Sequence, residues 1–259
     1  MKAAEYDLMR AVEDHHWWYA VLHRLVQETL AGRLPPHARL LDAGCGTGGM
    51  LEFLQARMGG LELTGVDAAE DAVRHCHQRG LGAVRSGSVE ALEFEDAAFD
   101  AVLSLDVLYH AGVDEEKALA EMRRVLRPEG LLVVNLPAFE RLRGSHDVAV
   151  SGVRRYVSCQ VRSLLEHASF EVVMIQYWNA WLFLPLLVWR RMSRTKAGQG
   201  TESRSDLKLP PAWLNSLLAG FGRLDAGLCR ELHLPFGSSV FAIARKTNHS
   251  PGGTLHGRN

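Results

Sequence analysis

Ten residues, LLDAGCGTGG from Leu40 to Gly49, constrain this chain more than any other stretch. An apolar run, a cluster of glycines and the helical spacing of Met50 to Met58 read as strand, tight turn and helix. Gly44 permits the turn, Gly46 lets a ligand approach the backbone, and Gly48 admits the helix closely against the strand. Gly44, Gly46 and Gly49 also match the spacing of a dinucleotide-binding turn, so NAD or FAD stays open on the glycines alone.

The same alternation continues downstream. Glu62 to Val66 is a second strand, and Ala69 to Arg79 a helix whose first turn is acidic, as the helix dipole prefers. Gly82 to Arg85 is a weak third strand and Phe99 to Leu103 a stronger fourth. Asp114 to Leu126 has helical periodicity and stops at Pro128 and Gly130. Leu131 to Leu136 is almost uniformly apolar, as an inner strand covered on both faces should be. Ser158 to Ala168 is a helix, and Glu171 to Tyr177 and Val240 to Arg245 are two last strands. Strands separated by helices imply right-handed crossovers, hence a doubly wound α/β fold with a mostly parallel sheet. The expected organisation is a helical cap over 1–37, a core over 38–177, an apolar helical insertion or lid over 178–236, the last core strand over 237–246 and a disordered tail over 247–259.

With 47% hydrophobic and 23% charged residues in 259, the chain has enough apolar matter for one large core. A formal net charge of -1 offers no field to gather a polyanion, so no nucleic-acid partner is expected. Cys45, Cys76, Cys159 and Cys229 are far apart, which argues against a disulfide framework or a structural metal. Met1 to Arg10 lacks the apolar stretch of a secretory signal, so the expected location is cytoplasmic.

Two acids flank the glycine turn. Asp42 lies immediately before it, poorly placed for a pyrophosphate and well placed for an ammonium. Asp67 ends the second strand in GVDAAEDAV, where it can accept both hydroxyls of a ribose. Asp67 suits either kind of cofactor; Asp42 favours one that carries a positive charge.

LLDAGCGTG, Asp67, GSVEALEFEDAAFDAVLSLDVLYH and EMRRVLRPEGLLVV together resemble class I S-adenosylmethionine-dependent methyltransferases of the UbiE-like, methyltransferase type 11 group. The resemblance runs from about Leu40 to Leu136. It implies a seven-stranded Rossmann-like methyltransferase fold, S-adenosyl-L-methionine as cofactor and S-adenosyl-L-homocysteine as product. The ammonium that suits Asp42 is then the amino-acid end of that cofactor, and the resemblance implies that Gly44, Cys45, Gly46 and Gly48 pass the methionine portion and that Asp67 holds the ribose. Ala68, Ser88 and Val89 would flank the adenine, and Leu105 would sit under the cofactor. A small residue that fits between two turn glycines, with a thiol that does nothing chemical, is the alternative role of Cys45. The acceptor is not specified, because the group methylates oxygen, nitrogen and carbon of many small molecules.

Ligands of such sheets bind at the carboxyl ends of the strands. The loop after strand four supplies Tyr109 and His110. The polar loop Pro137 to Val157 supplies His146, Arg154, Arg155 and Tyr156, and is expected to lie outside the core. His110 or His146 can remove a proton from an acceptor, with Arg154 and Tyr156 beside them. Paired arginines can hold a carboxylate, phosphate or phenolate. From EDHHWWYAVLHR, Trp18 and Tyr19 would wall the pocket and Arg24 would reach a carboxylate, or the helix would simply pack on the sheet.

AWLFLPLLVW, from Ala180 to Trp189, is about half the roughly 20 residues that span a bilayer. Pro185 predicts a bent or two-part element. The segment reads as a lid over a hydrophobic acceptor, with Trp181 on it, as a homodimer contact, or as a shallow membrane contact through 180–194 that would hold the protein to the inner face of a membrane. Beside methyl transfer stand two rivals: an NAD-dependent oxidoreductase and a catalytically inactive cofactor-binding scaffold.

Overall fold

The computed structural model describes residues 3–196 and 209–247. Its seven strands are β1 (Arg39–Ala43), β2 (Glu62–Asp67), β3 (Val84–Ser86), β4 (Phe99–Leu105), β5 (Leu126–Pro137), β6 (Phe170–Trp178) and β7 (Ser239–Lys246). They form one sheet in the order β3-β2-β1-β4-β5-β7-β6. Neighbours from β3 to β5 are parallel, and β7 runs antiparallel to both β5 and β6. The strand order reverses at β1 and β4, which opens the crevice above their carboxyl ends.

Alternate residues of the inner strands feed two separate cores, as the pleat requires. Leu41, Val102 and Val134 pack on one face with Leu119, Met122 and Phe99. Leu40, Ala101, Leu103 and Val133 pack on the other with Leu51, Leu54 and Trp178. Helices α3 (Gly49–Arg57), α4 (Glu70–Gln78), α5 (Glu115–Val125) and α7 (Ser158–His167) complete the layers. Asp114 caps α5 by accepting from the Lys117 backbone N–H.

The N-terminal region is two helices, α1 (Ala3–Val12) and α2 (Trp17–Leu30), broken where His16 takes extended backbone and caps α2. The segment 138–157 contains a short 3-10 turn, Glu140–Leu142, and α6 (Ser145–Ala149). Contrary to the sequence expectation, Leu142, Asp147 and Tyr156 are buried. Arg155 makes this possible by neutralising Asp147 through two hydrogen bonds, so polar residues enter the interior already paired.

After β6 the chain turns at Asn179, in left-handed backbone, into a 3-10 turn (Ala180–Leu182) and α8 (Phe183–Lys196). Pro185 falls in the first turn of α8, where no intrahelical bond is lost, and the two-part element results. A single helix, α9 (Ala212–Leu232), packs on α2 and β6 before β7. Within the expected insertion, residues 197–208 lie outside the described part, and of the tail only Thr247 is described.

Candidate active site

Asp42 is the last but one residue of β1, 2% exposed, and its Oδ1 has no hydrogen-bond partner. Burial, then the nearby Asp67 and Glu13 charges, push its carboxyl up to about 7. An orphaned buried carboxyl is costly unless something donates to it. Its surroundings fit a cationic, donor-only group such as an ammonium.

The turn follows directly. Gly44 and Gly48 have φ of 94° and 86°, the left-handed region that favours glycine. A Cβ at Gly44 would overlap Val107, and one at Gly48 would lie 2.7 Å from Leu81 Cδ1. The two glycines therefore serve the approach of β4's loop and of α4. Asp67, at the end of β2, accepts from the Gly46 N–H at 2.9 Å and the Ala69 N–H at 3.0 Å. This brings both acids and the glycine turn to one place at the crevice.

Cys45 turns inward. Its sulfur packs where a Cβ on Gly65 would come within 2.9 Å, and the thiol is pushed up by the Cys76 contact and by burial. It is a small core residue whose backbone alone faces the turn. Val89 likewise belongs to the core beside Val66 and Leu92, leaving only its main chain for a ligand. Ala68 and Ser88 are exposed at the rim. The Ser88 hydroxyl accepts from the Glu90 N–H at 3.1 Å. Leu105 is half-buried against the core that holds Leu103 and Trp178.

Sequence reasoning missed the way α1 covers this turn. The buried Tyr6 hydroxyl donates to Asp67 Oδ1 at 3.2 Å, and Met9 Sδ would stand 3.2 Å from a Cβ on Gly46. Arg79, with its side chain 1% exposed, donates to the Thr47 carbonyl at 2.8 Å and to Asp14 at 2.7 Å, and pairs with Glu13 and Glu52. Thr47 also donates to Glu13. His75 meets Asp7 at 2.9 Å. Scattered over four elements, these partners leave no local motif; only Glu13 and Asp14, just before the tryptophans, hint at them.

Beyond the carboxyl ends of β4 and β5 lies a second buried network. Asn135 donates to Asp106 at 2.8 Å and accepts from the Trp178 indole at 2.8 Å. Burial raises the Asp106 carboxyl to about 7, against the Asn135 hydrogen bond and the Arg155 charge, which lower it. The Tyr19 hydroxyl is raised by burial and by the Glu13 and Asp106 charges, and the Tyr109 hydroxyl by burial and Asp106. Trp18 lies 5.1 Å from Tyr19 and 5.5 Å from Trp178, ring centre to ring centre. Trp181 reaches Trp17 at 5.9 Å. His110 stacks on Tyr109 at 4.4 Å, its Nδ1 is buried without a partner, and burial lowers its pKa. The Gln176 and Asn179 amides, also buried, have no partner. Asn135, Gln176 and Asn179 carried no signal in the sequence, because a lone amide in an apolar run has no periodicity to betray it.

Several expected acceptor residues are held elsewhere. Arg155 is taken up by Asp147 and by the Ala138 carbonyl. Tyr156 donates to Glu115, which also pairs with Arg154 at 2.9 Å. These three brace the 138–157 segment, because buried or half-buried carboxylates claim them first. Arg24 pairs with Glu28 on an exposed face of α2, along a groove that α9 completes. The His146 side chain lies outside the described part of the structure.

A family model described as a methyltransferase domain matches residues 41–134. The chain is 30% identical to malonyl-[acyl-carrier protein] O-methyltransferase of Geobacter sulfurreducens, over 67% of this chain and 68% of that protein. It is 36% identical to phthiotriol/phenolphthiotriol dimycocerosates methyltransferase 1 of Mycobacterium ulcerans, over 43% of this chain, and there it spans only 40% of the relative's length. The methyltransferase solved in complex with the Haloferax volcanii Trm112 activator shares the fold, with a TM-score of 0.61 at 19% identity over 96% of each chain.

Proposed function

This chain belongs to the class I S-adenosylmethionine-dependent methyltransferases, and we propose that it methylates an oxygen, nitrogen or activated carbon of a small, apolar acceptor. The observation that carries the reading is the buried, unpartnered Asp42 carboxyl beside the glycine turn. It disfavours a dinucleotide, whose pyrophosphate would bring more negative charge to the same spot.

When bound, the cofactor supplies a methyl group on a positively charged sulfur. Asp42 would hold its ammonium, the Gly44 and Gly46 backbone would pass its methionine portion, and Asp67 would hold its ribose once Tyr6 gives way. Trp18, Tyr19, Tyr109 and Trp178 would wall the acceptor, and Trp181 would extend that wall. Little more is asked of the protein than alignment and the removal of one proton. His110 is the base this reading favours: its ring is kept neutral by burial and its Nδ1 has no partner. The relatives named for phthiotriol and phenolphthiotriol dimycocerosates support an acceptor with a large apolar part.

The test is release of S-adenosyl-L-homocysteine by the purified chain with apolar phenols, carboxylic acids and amines, beside charged, compact analogues of each. Turnover confined to apolar acceptors is expected. His110→Ala should lower kcat by about 10²-fold or more while leaving cofactor affinity unchanged. Turnover of compact charged acceptors alone overturns the apolar reading. Micromolar binding of NAD, with neither sulfur compound bound, overturns the donor.

A further inference from the structure

On α9 the exposed large side chains are not scattered. Trp213, Leu217, Phe221, Leu224 and Leu228 are 70%, 47%, 53%, 61% and 46% exposed. Their spacing of four, four, three and four residues places them along one side of the helix. The adjoining side, with Gly222, Asp225, Ala226 and Cys229, is the buried one. Leu184, Val188 and Trp189 of α8 are 63%, 56% and 47% exposed as well. A water-facing helix normally carries polar residues there, and an apolar band of this length marks a contact surface.

The charge around the band says what kind. Residues 178–224 hold seven Lys or Arg and only two acids, whereas the whole chain has a net charge of -1. The rest of the molecule is therefore clearly acidic, and this stretch of sequence is the basic one. Among the described residues from 178 to 228 the one acid is Asp225, on the buried side of α9. Arg191 and Arg223 are exposed, and Arg190 lies over the Trp189 ring at 4.4 Å. A second copy of the chain would set these cations against their own kind. No helix among the described residues is long and apolar enough to cross a membrane.

We propose that the exposed faces of α8 and α9 form a peripheral docking surface for an anionic phospholipid bilayer. The apolar band enters the headgroup boundary in the plane of the membrane, the tryptophans sit at headgroup depth, and the arginines meet lipid phosphates. The surface is independent of the acceptor reading, since none of its exposed leucines belongs to the candidate active site.

Co-sedimentation of the full chain with vesicles tests it. Vesicles of phosphatidylglycerol mixed with phosphatidylcholine should retain the protein, phosphatidylcholine alone should retain far less, and added salt should release it. Arg191→Glu with Arg223→Glu should weaken retention about tenfold or more, since each cation near such a surface contributes about 1 kcal/mol. Leu217→Gln, Leu224→Gln and Leu228→Gln together should abolish it, with unchanged circular dichroism and cofactor affinity. Equal retention on neutral and anionic vesicles, or none on either, overturns the proposal. So does a dimer in sedimentation equilibrium that the triple leucine variant dissociates.

Discussion

Two buried carboxyls set the chemistry at the residue scale. Asp42 is held near 7 by burial, so at pH 6 it is largely protonated in the free protein. A cation bound against it favours the carboxylate, so binding must release a proton at pH 6 to 7, and affinity must rise with pH until Asp42 is ionised. Calorimetry in two buffers of different ionisation enthalpy reads that proton directly. Asp42→Asn should remove it and weaken the cofactor about tenfold or more, the scale of a hydrogen bond to a charged group. An unchanged proton count in the variant would remove Asp42 from the site. Tyr6 makes a second residue-level case, because its hydroxyl holds the Asp67 oxygen that a ribose would need. Tyr6→Phe opens one acceptor position on that oxygen, which keeps its Ala69 N–H, at the loss of one ordinary hydrogen bond, about 1 kcal/mol. Cofactor affinity should therefore rise a few-fold, and a fall instead would make Tyr6 a ligand contact.

At the scale of elements, α1 and the glycine turn behave as one unit through Arg79. Its guanidinium is buried among Glu13, Asp14 and Glu52, and Glu13 has its carboxyl raised by burial against the lowering effect of Thr47 and Arg79. Removing the cation strands a buried acid, a change that costs roughly 3–5 kcal/mol when nothing relaxes. Undocking of α1 is the cheaper response. Arg79→Met should thus make residues 3–16 sensitive to limited proteolysis while the sheet stays resistant. Adding Glu13→Gln should recover part of the loss, because the stranded charge is then gone. Proteolysis at the wild-type rate in Arg79→Met would mean that α1 is held by its apolar contacts alone. The strands and most helices were legible at this scale, since their periods of two and about 3.6 were written in the residues themselves. The union of α1 with α4 was not, because the pair Asp7 and His75 and the pair Glu13 and Arg79 are separated by more than sixty positions.

For the molecule as a whole, stability and function are coupled through pH. Asp106 has an ordinary value of 3.8 and about 7 when folded. Between those limits the folded state binds more protons than the unfolded one, so this group's contribution to stability falls as pH rises. His16, His23 and His110 are lowered by burial and act in the opposite sense, losing stability as pH falls. A variant comparison isolates the carboxyl. Asp106→Asn keeps an acceptor for the Asn135 amide, and in urea melts it should gain stability relative to wild type by up to about 1.4 kcal/mol per pH unit between pH 4 and 7. A difference that does not vary with pH would show that Asp106 is already ionised in the fold. The sequence by itself determined the layered α/β architecture, the glycine turn with its two acids and the apolar character of the last third, because each is a local pattern of side chains. It also announced Trp18, Tyr19, Tyr109 and His110 as aromatic and titratable groups. Only the tertiary structure decided that Arg155 and Tyr156 serve Asp147 and Glu115, that Cys45 faces the core, and that Tyr6 meets Asp67. The physical reason is competition: a buried charge takes whichever partner the fold brings within hydrogen-bond reach, and that distance is not encoded in any single segment of chain.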